Sequence, residues 1–211
     1  QSWYARSKKY FITLRLNLTM IKDLEFFLKN IFFSEKFLLK RRLIRSIKNN
    51  YEKELKIISK FSDKNKSAVD VGVYRGVYSY KLSKEFKHVY AYEPNPLIFP
   101  YLEKNLKKII SNLTIKNYAL SNESGVADLK IPMRSKSFFK KNIEELYKLG
   151  CATIHNKNNF ENYETINVKK IKLDQDLDDI NLGFIKIDVE GHEKEVIEGA
   201  KNLIRKFKPI L

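Results

Sequence analysis

Cysteine, glycine and long apolar runs are all scarce in this chain of 211 residues, which contains one cysteine and seven glycines. The lone Cys151 excludes an internal disulfide and favours a reducing compartment, so we expect a cytoplasmic protein. No stretch approaches 18 apolar residues without charges, and the sequence therefore predicts no transmembrane helix. Neither Cys151 nor His155 has neighbours at the spacing of a zinc site. The G-x-G-x-x-G pattern of dinucleotide-binding proteins is also absent.

Positive charge is concentrated in the first part of the chain. The net charge is +16, and residues 1–60 hold 15 basic side chains against 5 acidic ones. Those residues lack glycine and proline, which predicts helices. We therefore predict a basic helical N-terminal appendage over residues 1–65 and a second domain over residues 66–211. The appendage is either packed on that domain or forms a basic amphipathic surface for a membrane or a polyanion. The cations of such a surface are Arg41, Arg42, Arg45 and Lys48.

From residue 67 onward, apolar strands alternate with amphipathic helices, which predicts an α/β fold with a parallel sheet flanked by helices. One continuous helix is predicted after residue 192, since its apolar residues fall on one face. The predicted parallel strands are Ala68–Val71, His88–Tyr92, Thr114–Ala119 and Phe184–Asp188.

Two segments depart from that alternation. The turn signal at residues 122–125 predicts that Val126–Ile131 is a hairpin partner of the preceding strand. Residues 132–165 are polar and irregular, with a short helix predicted at Asn142–Leu149. A long insertion inside a compact domain is often functional.

Two strand ends carry the features of a nucleotide-type site. Asp70 precedes Gly72 and Gly76, and Glu93 follows the next strand about 20 positions later. A carboxylate in that place can accept hydrogen bonds from both ribose hydroxyls. Asp70 would repel a pyrophosphate but suits a cationic ligand, and S-adenosylmethionine carries an ammonium and a sulfonium. Each feature alone also fits an ordinary glycine turn or an acid at a helix start.

Acids and a histidine crowd the end of the last predicted strand. Asp188, Glu190, His192 and Glu193 follow the apolar run Phe184–Ile187. Neighbouring acids raise one another's pKa, and a histidine titrates near neutrality, so this cluster suits removal of a proton from a hydroxyl. The alternative is a helix start that favours acidic residues. The cluster lacks a specific metal spacing, and no metal is predicted.

Taken together in order and spacing, these motifs resemble the FkbM family of S-adenosylmethionine-dependent methyltransferases over residues 66–211. Beyond the motifs above, the resemblance includes the start of a further strand at Lys208–Leu211 and, more loosely, a small-residue segment at Gly150–Ile154. The remaining matching residues are Glu93–Pro96, Asn117–Leu120, Leu173–Asp174 and Ile185–Glu193.

The resemblance implies a Rossmann-like class I methyltransferase sheet, with its C-terminal strands missing after Leu211. It implies S-adenosylmethionine as cofactor and O-methylation of a hydroxyl on a sugar, a glycan or a small molecule. Asp188, Glu190 and His192 would then be catalytic. The cofactor would be bound by Asp70, Gly72, Tyr74, Gly76, Glu93, Pro94, Asn117 and Ala119.

Two other functions stay open. The basic N-terminal part suits a nucleic-acid methyltransferase, although the strand ending at Asp188 is not followed by the Asn/Asp-Pro-Pro-aromatic pattern of amino-methylating sites. A non-catalytic binding module with a retained methyltransferase fold is the other alternative.

Overall fold

The computed structural model describes residues 33–49, 53–133, 149–155, 161–178 and 180–211. The chain divides into two compact units, residues 1–42 and residues 43–211. The described part of the first unit contains the start of helix α1 (Glu35–Lys48), on which Leu39 is buried. Among the described residues, no helix has both the length and the apolar character needed to cross a bilayer. The boundary predicted after residue 65 stays a prediction.

The second unit is a mixed α/β structure, as expected. Its helices after α1 are α2 (Glu54–Ile58), α3 (Val77–Glu85), α4 (Phe99–Leu106), α5 (Leu173–Asp176), α6 (Glu193–Gly199) and α7 (Lys201–Phe207). Its strands are β1 (Ser67–Val71), β2 (Val89–Tyr92), β3 (Leu113–Lys116), β4 (Ala119–Leu120), β5 (Gly125–Pro132), β6 (Tyr163–Ile171) and β7 (Leu182–Ile187).

The central sheet is parallel, with the strand order β3-β2-β1-β7. All five residues of β1 are buried, as expected for a central strand covered on both faces. The strand order reverses beside β1, because β2 and β3 lie on one side of it and β7 lies on the other. Ligands of open α/β sheets bind outside the carboxyl ends of the strands at such a reversal. The turns after β1, β2 and β7 therefore frame the candidate site.

A second, three-stranded sheet has the order β4-β6-β5, and it corrects the predicted hairpin. β5 pairs antiparallel with β6, from Gly125 opposite Lys170 to Pro132 opposite Tyr163, and β6 also pairs parallel with β4. The prediction was wrong because a turn signal shows that the chain reverses but not which distant strand lies beside it. Thr114–Ala119 is likewise not one strand, since β3 ends at Lys116 and Ala119 belongs to the second sheet.

The helical layer after β7 is also divided. α6 and α7 are separated at Ala200, whose φ and ψ are −111° and 9°. Val196, Ala200 and Leu203 are nevertheless buried, as the sequence predicts. After α7, Ile210 exchanges two backbone hydrogen bonds with β7, to Gly183 O at 3.0 Å and from Ile185 N at 2.8 Å. This agrees with the expected start of a further strand. The predicted helix Asn142–Leu149 lies outside the described residues, apart from Leu149 itself.

Candidate active site

A cleft opens at the carboxyl edge of β1, β2 and β7, and residues of the second sheet form its opposite wall. Its empty volume, including the open mouth, is about 570 Å³. The residues of the sequence-predicted site that line it are Gly72, Tyr74, Glu93, Pro94, Ala119, Asp188, Glu190 and His192. The fold therefore gathers residues up to 120 positions apart around one cleft.

The turn after β1 requires glycine at position 72. Gly72 has φ +81°, and its amide donates to Tyr92 O at 3.0 Å. A Cβ built there would lie 2.0 Å from the backbone oxygen of Asp188, a contact that no side-chain rotation relieves. The turn is therefore packed directly against the loop after β7. Tyr74 follows in the same left-handed region, with φ 48°.

Glu93 joins the turns that follow β1 and β2. Its carboxylate accepts from the amide of Tyr74 at 2.8 Å and from the amide of Asn95 at 2.9 Å, one on each oxygen. Only 5% of the residue is exposed. Burial raises the pKa of Glu93 to about 7, although the two amide donors and Lys186 act in the opposite direction. An ionised carboxylate offers about four acceptor positions, so two remain for a ligand in the cleft.

Asp70 and Gly76 support the turn from below rather than lining the cleft. Asp70 is fully buried, and its Oδ2 accepts from Ser79 Oγ at 2.6 Å. Its Oδ1 lies 3.2 Å from Lys186 Nζ, a charge contact rather than a well-aligned hydrogen bond. Gly76, with φ +75°, precedes α3 and packs against Leu106.

Asn117 has a similar supporting role at the next strand end. Its amide donates to the backbone oxygens of Glu93 and Pro94, at 2.7 and 3.1 Å. Asn117 thereby holds the turn after β2 while Pro94 and Ala119 line the cleft.

The loop after β7 carries the predicted catalytic acids. Asp188 donates its amide to Val71 O at 3.1 Å, while its side chain is 68% exposed. Glu190 has φ 51° and Gly191 has φ 97°, so two successive residues adopt left-handed conformations. Burial, followed by the charges of Asp188 and Glu193, raises the pKa of Glu190. Such a carboxyl is a stronger base, when ionised, than an ordinary glutamate.

His192 has partners near both ring nitrogens. Nε2 lies 3.0 Å from the hydroxyl of the buried Ser121, and Nδ1 lies 3.5 Å from a carboxylate oxygen of Glu195. Burial lowers the pKa of His192 despite the nearby Glu195. The lowered pKa favours the neutral form of the ring, which connects the end of β4 to the start of α6.

The segment Leu149–His155 closes the wall opposite the glycine turn. Thr153 exchanges two backbone hydrogen bonds with Lys130 of β5, at 2.8 and 3.0 Å. Its hydroxyl donates to Glu190 O at 2.8 Å and accepts from the amide of His155 at 3.0 Å. Gly150 packs against the ring of Tyr74. The segment thus contacts both non-glycine residues with left-handed backbones at the cleft.

Sequence reasoning missed Lys186, Thr153 and Ser121. For Thr153, the only signal in the sequence was the run of small residues at Gly150–Ile154. Within the described ranges, no three His, Cys, Asp or Glu side chains are grouped so that they would hold a metal ion. In the described part of the chain, the cleft at the edge of the sheet is thus lined by the buried carboxylate of Glu93 and by the exposed carboxylates of Asp188 and Glu190. The tight turns after β1 and β7 frame it.

An α/β fold with this cleft at its strand reversal is the architecture of nucleotide and nucleoside sites in parallel-sheet enzymes. A family model described as the methyltransferase FkbM domain matches residues 70–211, more than half of the chain. The chain therefore belongs to the FkbM methyltransferase family, and membership implies a methyl donor and an acceptor substrate.

The chain is also similar to a solved structure, the crystal structure of methyltransferase FkbM from Methylobacillus flagellatus KT. The identity is 19%, the TM-score is 0.45, and the match covers 69% of this chain and 32% of that one. The matched region thus spans about a third of the length of that relative. No curated protein matches the chain.

Proposed function

We propose that this chain uses S-adenosylmethionine to methylate a hydroxyl oxygen on a sugar, a glycan or another small molecule. The observation that carries the proposal is Glu93. It is a buried carboxylate on the cleft wall whose two oxygens each accept one backbone amide and retain capacity for further donors. This arrangement suits two adjacent hydroxyls, as in a ribose.

The residues present fit the cofactor in two further respects. At Gly72 there is no room for a Cβ, so the backbone itself forms that wall of the cleft. The carboxylates of Glu93, Asp188 and Glu190 all line the cleft, which favours a cationic ligand. When bound, S-adenosylmethionine supplies a methyl group activated by its sulfonium.

The chain's own contribution to the reaction is to hold the acceptor and take its proton. Asp188 is proposed to orient the hydroxyl, because its side chain is exposed beside the cleft. Glu190 is proposed as the proton acceptor, because its pKa is raised. The lowered pKa of His192 favours its neutral form, so we propose this ring as the alternative base if the acceptor hydroxyl replaces its contact with Ser121. A base of this kind contributes about 10²–10⁴-fold to a rate.

The test is calorimetric binding of S-adenosylmethionine to the wild type and to Glu93→Gln. We expect the substitution to weaken affinity by about 1.5–3 kcal/mol, the value of a hydrogen bond to a charged group. The matched control is Glu85→Gln, which makes the same chemical change in a carboxylate that pairs with Lys81 on α3. That control should bind as the wild type does.

Three outcomes separate the alternatives. No binding by the wild type would reject S-adenosylmethionine as the donor, and equal affinity of wild type and Glu93→Gln would reject this site. Tight binding without turnover over a panel of hydroxyl acceptors would favour a non-catalytic binding module. Salt-sensitive turnover on RNA rather than on glycans would favour the nucleic-acid methyltransferase.

A second proposal concerns residues 1–65 as an appendage that cofactor binding does not require. The described cations of α1 support contact with an anionic surface, because Arg41, Arg42, Arg45 and Lys48 are all exposed. Sedimentation with anionic and with neutral vesicles tests that contact. Deletion of residues 1–42, the first compact unit, should leave cofactor affinity within about twofold of the wild type.

A further inference from the structure

Lys186 lies beneath the glycine turn and contacts it at several points. Its ammonium donates to Gly72 O at 2.7 Å and to Val71 O at 3.2 Å. It also lies 3.2 Å from the Asp70 carboxylate and 5.0 Å from the centre of the Tyr78 ring. The side chain is only 11% exposed and does not line the cleft. Its three hydrogens therefore face the backbone and the carboxylate that hold the turn.

Lys186 supplies the opposite charge next to the buried carboxylate of Asp70. The carboxylate is wholly buried, and an isolated buried charge is costly unless it is paired and hydrogen-bonded. Ser79 supplies a hydrogen bond to one oxygen, and Lys186 supplies the positive charge beside the other. The pair therefore fixes β1, α3 and β7 relative to one another at the end where the cleft opens.

The same ammonium acts on the ligand-facing carboxylates. The groups that face Glu93 are the amides of Tyr74 and Asn95, the negative Asp70 and the positive Lys186. Burial and Asp70 raise the pKa of Glu93, whereas the two amides and, after them, the charge of Lys186 favour its ionised form. Lys186 also lies 3.9 Å from Asp188, at the start of the acceptor loop. One buried cation thus lies among three carboxylates from three strand ends.

We propose that Lys186 is a positioning residue of the cofactor site, which fixes the carbonyl oxygens of the glycine turn and balances the charges of the surrounding carboxylates. This inference rests on the proposed function, because it concerns the same site. It assigns Lys186 no contact with the reacting atoms. Lys186 affects the site through its hydrogen bond to Gly72 and through the effect of its charge on Asp70 and Glu93.

The experiment compares Lys186→Met with a matched control, Lys116→Met. Lys116 also pairs with an aspartate near the same sheet edge, through two contacts to Asp176 at 2.9 and 2.7 Å, but outside the cleft. Two quantities are measured. The first is S-adenosylmethionine affinity by calorimetry from about pH 5.5 to 8.5. The second is amide hydrogen exchange of residues 72–76 without cofactor.

For Lys186→Met we expect affinity at pH 7 to fall about tenfold or more, and the pH at which affinity is half-maximal to move upward. Exchange of the turn amides should accelerate about tenfold or more. Lys116→Met lowers the melting temperature but should leave affinity, its pH midpoint and the turn amides unchanged. Equal behaviour of the two variants would overturn the proposal, since Lys186 would then be merely structural.

A double variant, Asp70→Asn with Lys186→Met, keeps the test decisive if the single variant does not fold, because it leaves no unpaired buried charge. We expect its turn amides to remain fast and its affinity to remain low, since the carbonyl contacts are still absent. Restoration of both to wild-type values would overturn the proposal, because the lysine would then serve only to neutralise Asp70. If the wild type itself binds no S-adenosylmethionine, the proposed function fails, and the hydrogen exchange alone decides whether Lys186 fixes the turn.

Discussion

The two sides of the cleft are built differently. The turns after β1 and β2 form the cofactor side, which we propose binds the cofactor. Asp70 and Glu93 are almost wholly buried on this side, and both accept hydrogen bonds from protein groups: Ser79 for Asp70, and the Tyr74 and Asn95 amides for Glu93. The acceptor side is the loop after β7, which we propose faces the acceptor; its Asp188 side chain is 68% exposed and Glu190 is exposed. The first half is preorganised before any ligand binds, whereas the second presents its carboxylates to solvent.

The difference follows from where each half obtains its contacts. The cofactor side lies on the central strands β1 and β2, whose turns contact each other directly through Gly72 and Tyr92. The acceptor loop is held by Val71 of β1 at its start, and further on by Thr153, whose segment lies outside the parallel sheet and pairs with β5. The acceptor side therefore depends on contacts with the second sheet, which the cofactor side does not need for its two turns to meet.

The largest effect is expected for Gly72→Ala, which would break the cofactor side. The new Cβ would meet the Asp188 backbone oxygen at 2.0 Å in a left-handed conformation. We expect unfolding free energy to fall by about 4 kcal/mol or more, in the exceptional range for one substitution. The control is Gly125→Ala, where φ is +154° but the nearest atom lies 3.8 Å away. That variant isolates backbone strain, at about 1–2 kcal/mol. If chemical denaturation gave similar losses of unfolding free energy for Gly72→Ala and Gly125→Ala, the turn would not be packed as described.

The second prediction concerns the pH dependence of stability. The pKa of Glu93 rises from 4.5 to about 7 on folding, so the folded state binds this proton more tightly. Its contribution to the free energy of unfolding is full below pH 4.5 and is lost as the pH rises through 7, a change on the order of 3 kcal/mol. Denaturant unfolding of wild type and Glu93→Gln, at pH values across this window, measures it. The stability of the wild type relative to the variant should decline steadily as the pH rises. A constant difference would mean that Glu93 is not buried in a way that perturbs its ionisation.

Much of the cofactor side could be predicted from sequence, because its signals are local. A buried strand before a glycine turn and an acid after the next strand need no knowledge of distant contacts, and parallel pairing of β1 with β2 brings Gly72 and Glu93 together. The position of Asp70 in the sequence also predicts that its side chain faces a ligand, but in the structure this side chain lies beneath the turn. Strand alternation turns its side chain toward Ser79 and Lys186 instead.

The acceptor side was predicted only in part. Asp188, Glu190 and His192 follow a recognisable strand, but two partners of that loop, Thr153 and Ser121, lie 37 or more positions away. Thr153 lies in an irregular insertion without periodicity, and Ser121 lies between strands that were assigned to one sheet. Pairing between distant strands depends on tertiary packing, so no local pattern indicates that β6 lies between β4 and β5.

The third prediction sharpens the comparison at the acceptor loop. Asp188→Asn, Glu190→Gln and His192→Ala should lower S-adenosylmethionine affinity much less than turnover, because the glycine turn is held by Tyr92, Glu93 and Lys186. Turnover of a hydroxyl acceptor should fall about tenfold or more, or about 1.4 kcal/mol, in at least one of them. Paired calorimetry and turnover assays separate the two effects. If all three variants kept full turnover, the cluster would serve only as the start of a helix, and the catalytic group should be sought among residues 149–155.

The smallest effect is expected for Thr153→Val, which removes one hydroxyl and keeps the shape of the side chain. That hydroxyl bridges the His155 amide and the Glu190 carbonyl, where the backbone is left-handed. We expect a loss of stability of about 1 kcal/mol, the net value of a typical hydrogen bond. Thr153→Ser is the matched control, because it retains the hydroxyl and should keep the loop in place. If the acceptor side is held from the second sheet, hydrogen exchange at residues 189–192 should accelerate in the valine variant and not in the serine variant, while the amides of residues 72–76 stay unchanged. If hydrogen exchange accelerated on both sides of the cleft, the two halves would form one cooperative unit. They would then differ only in solvent exposure.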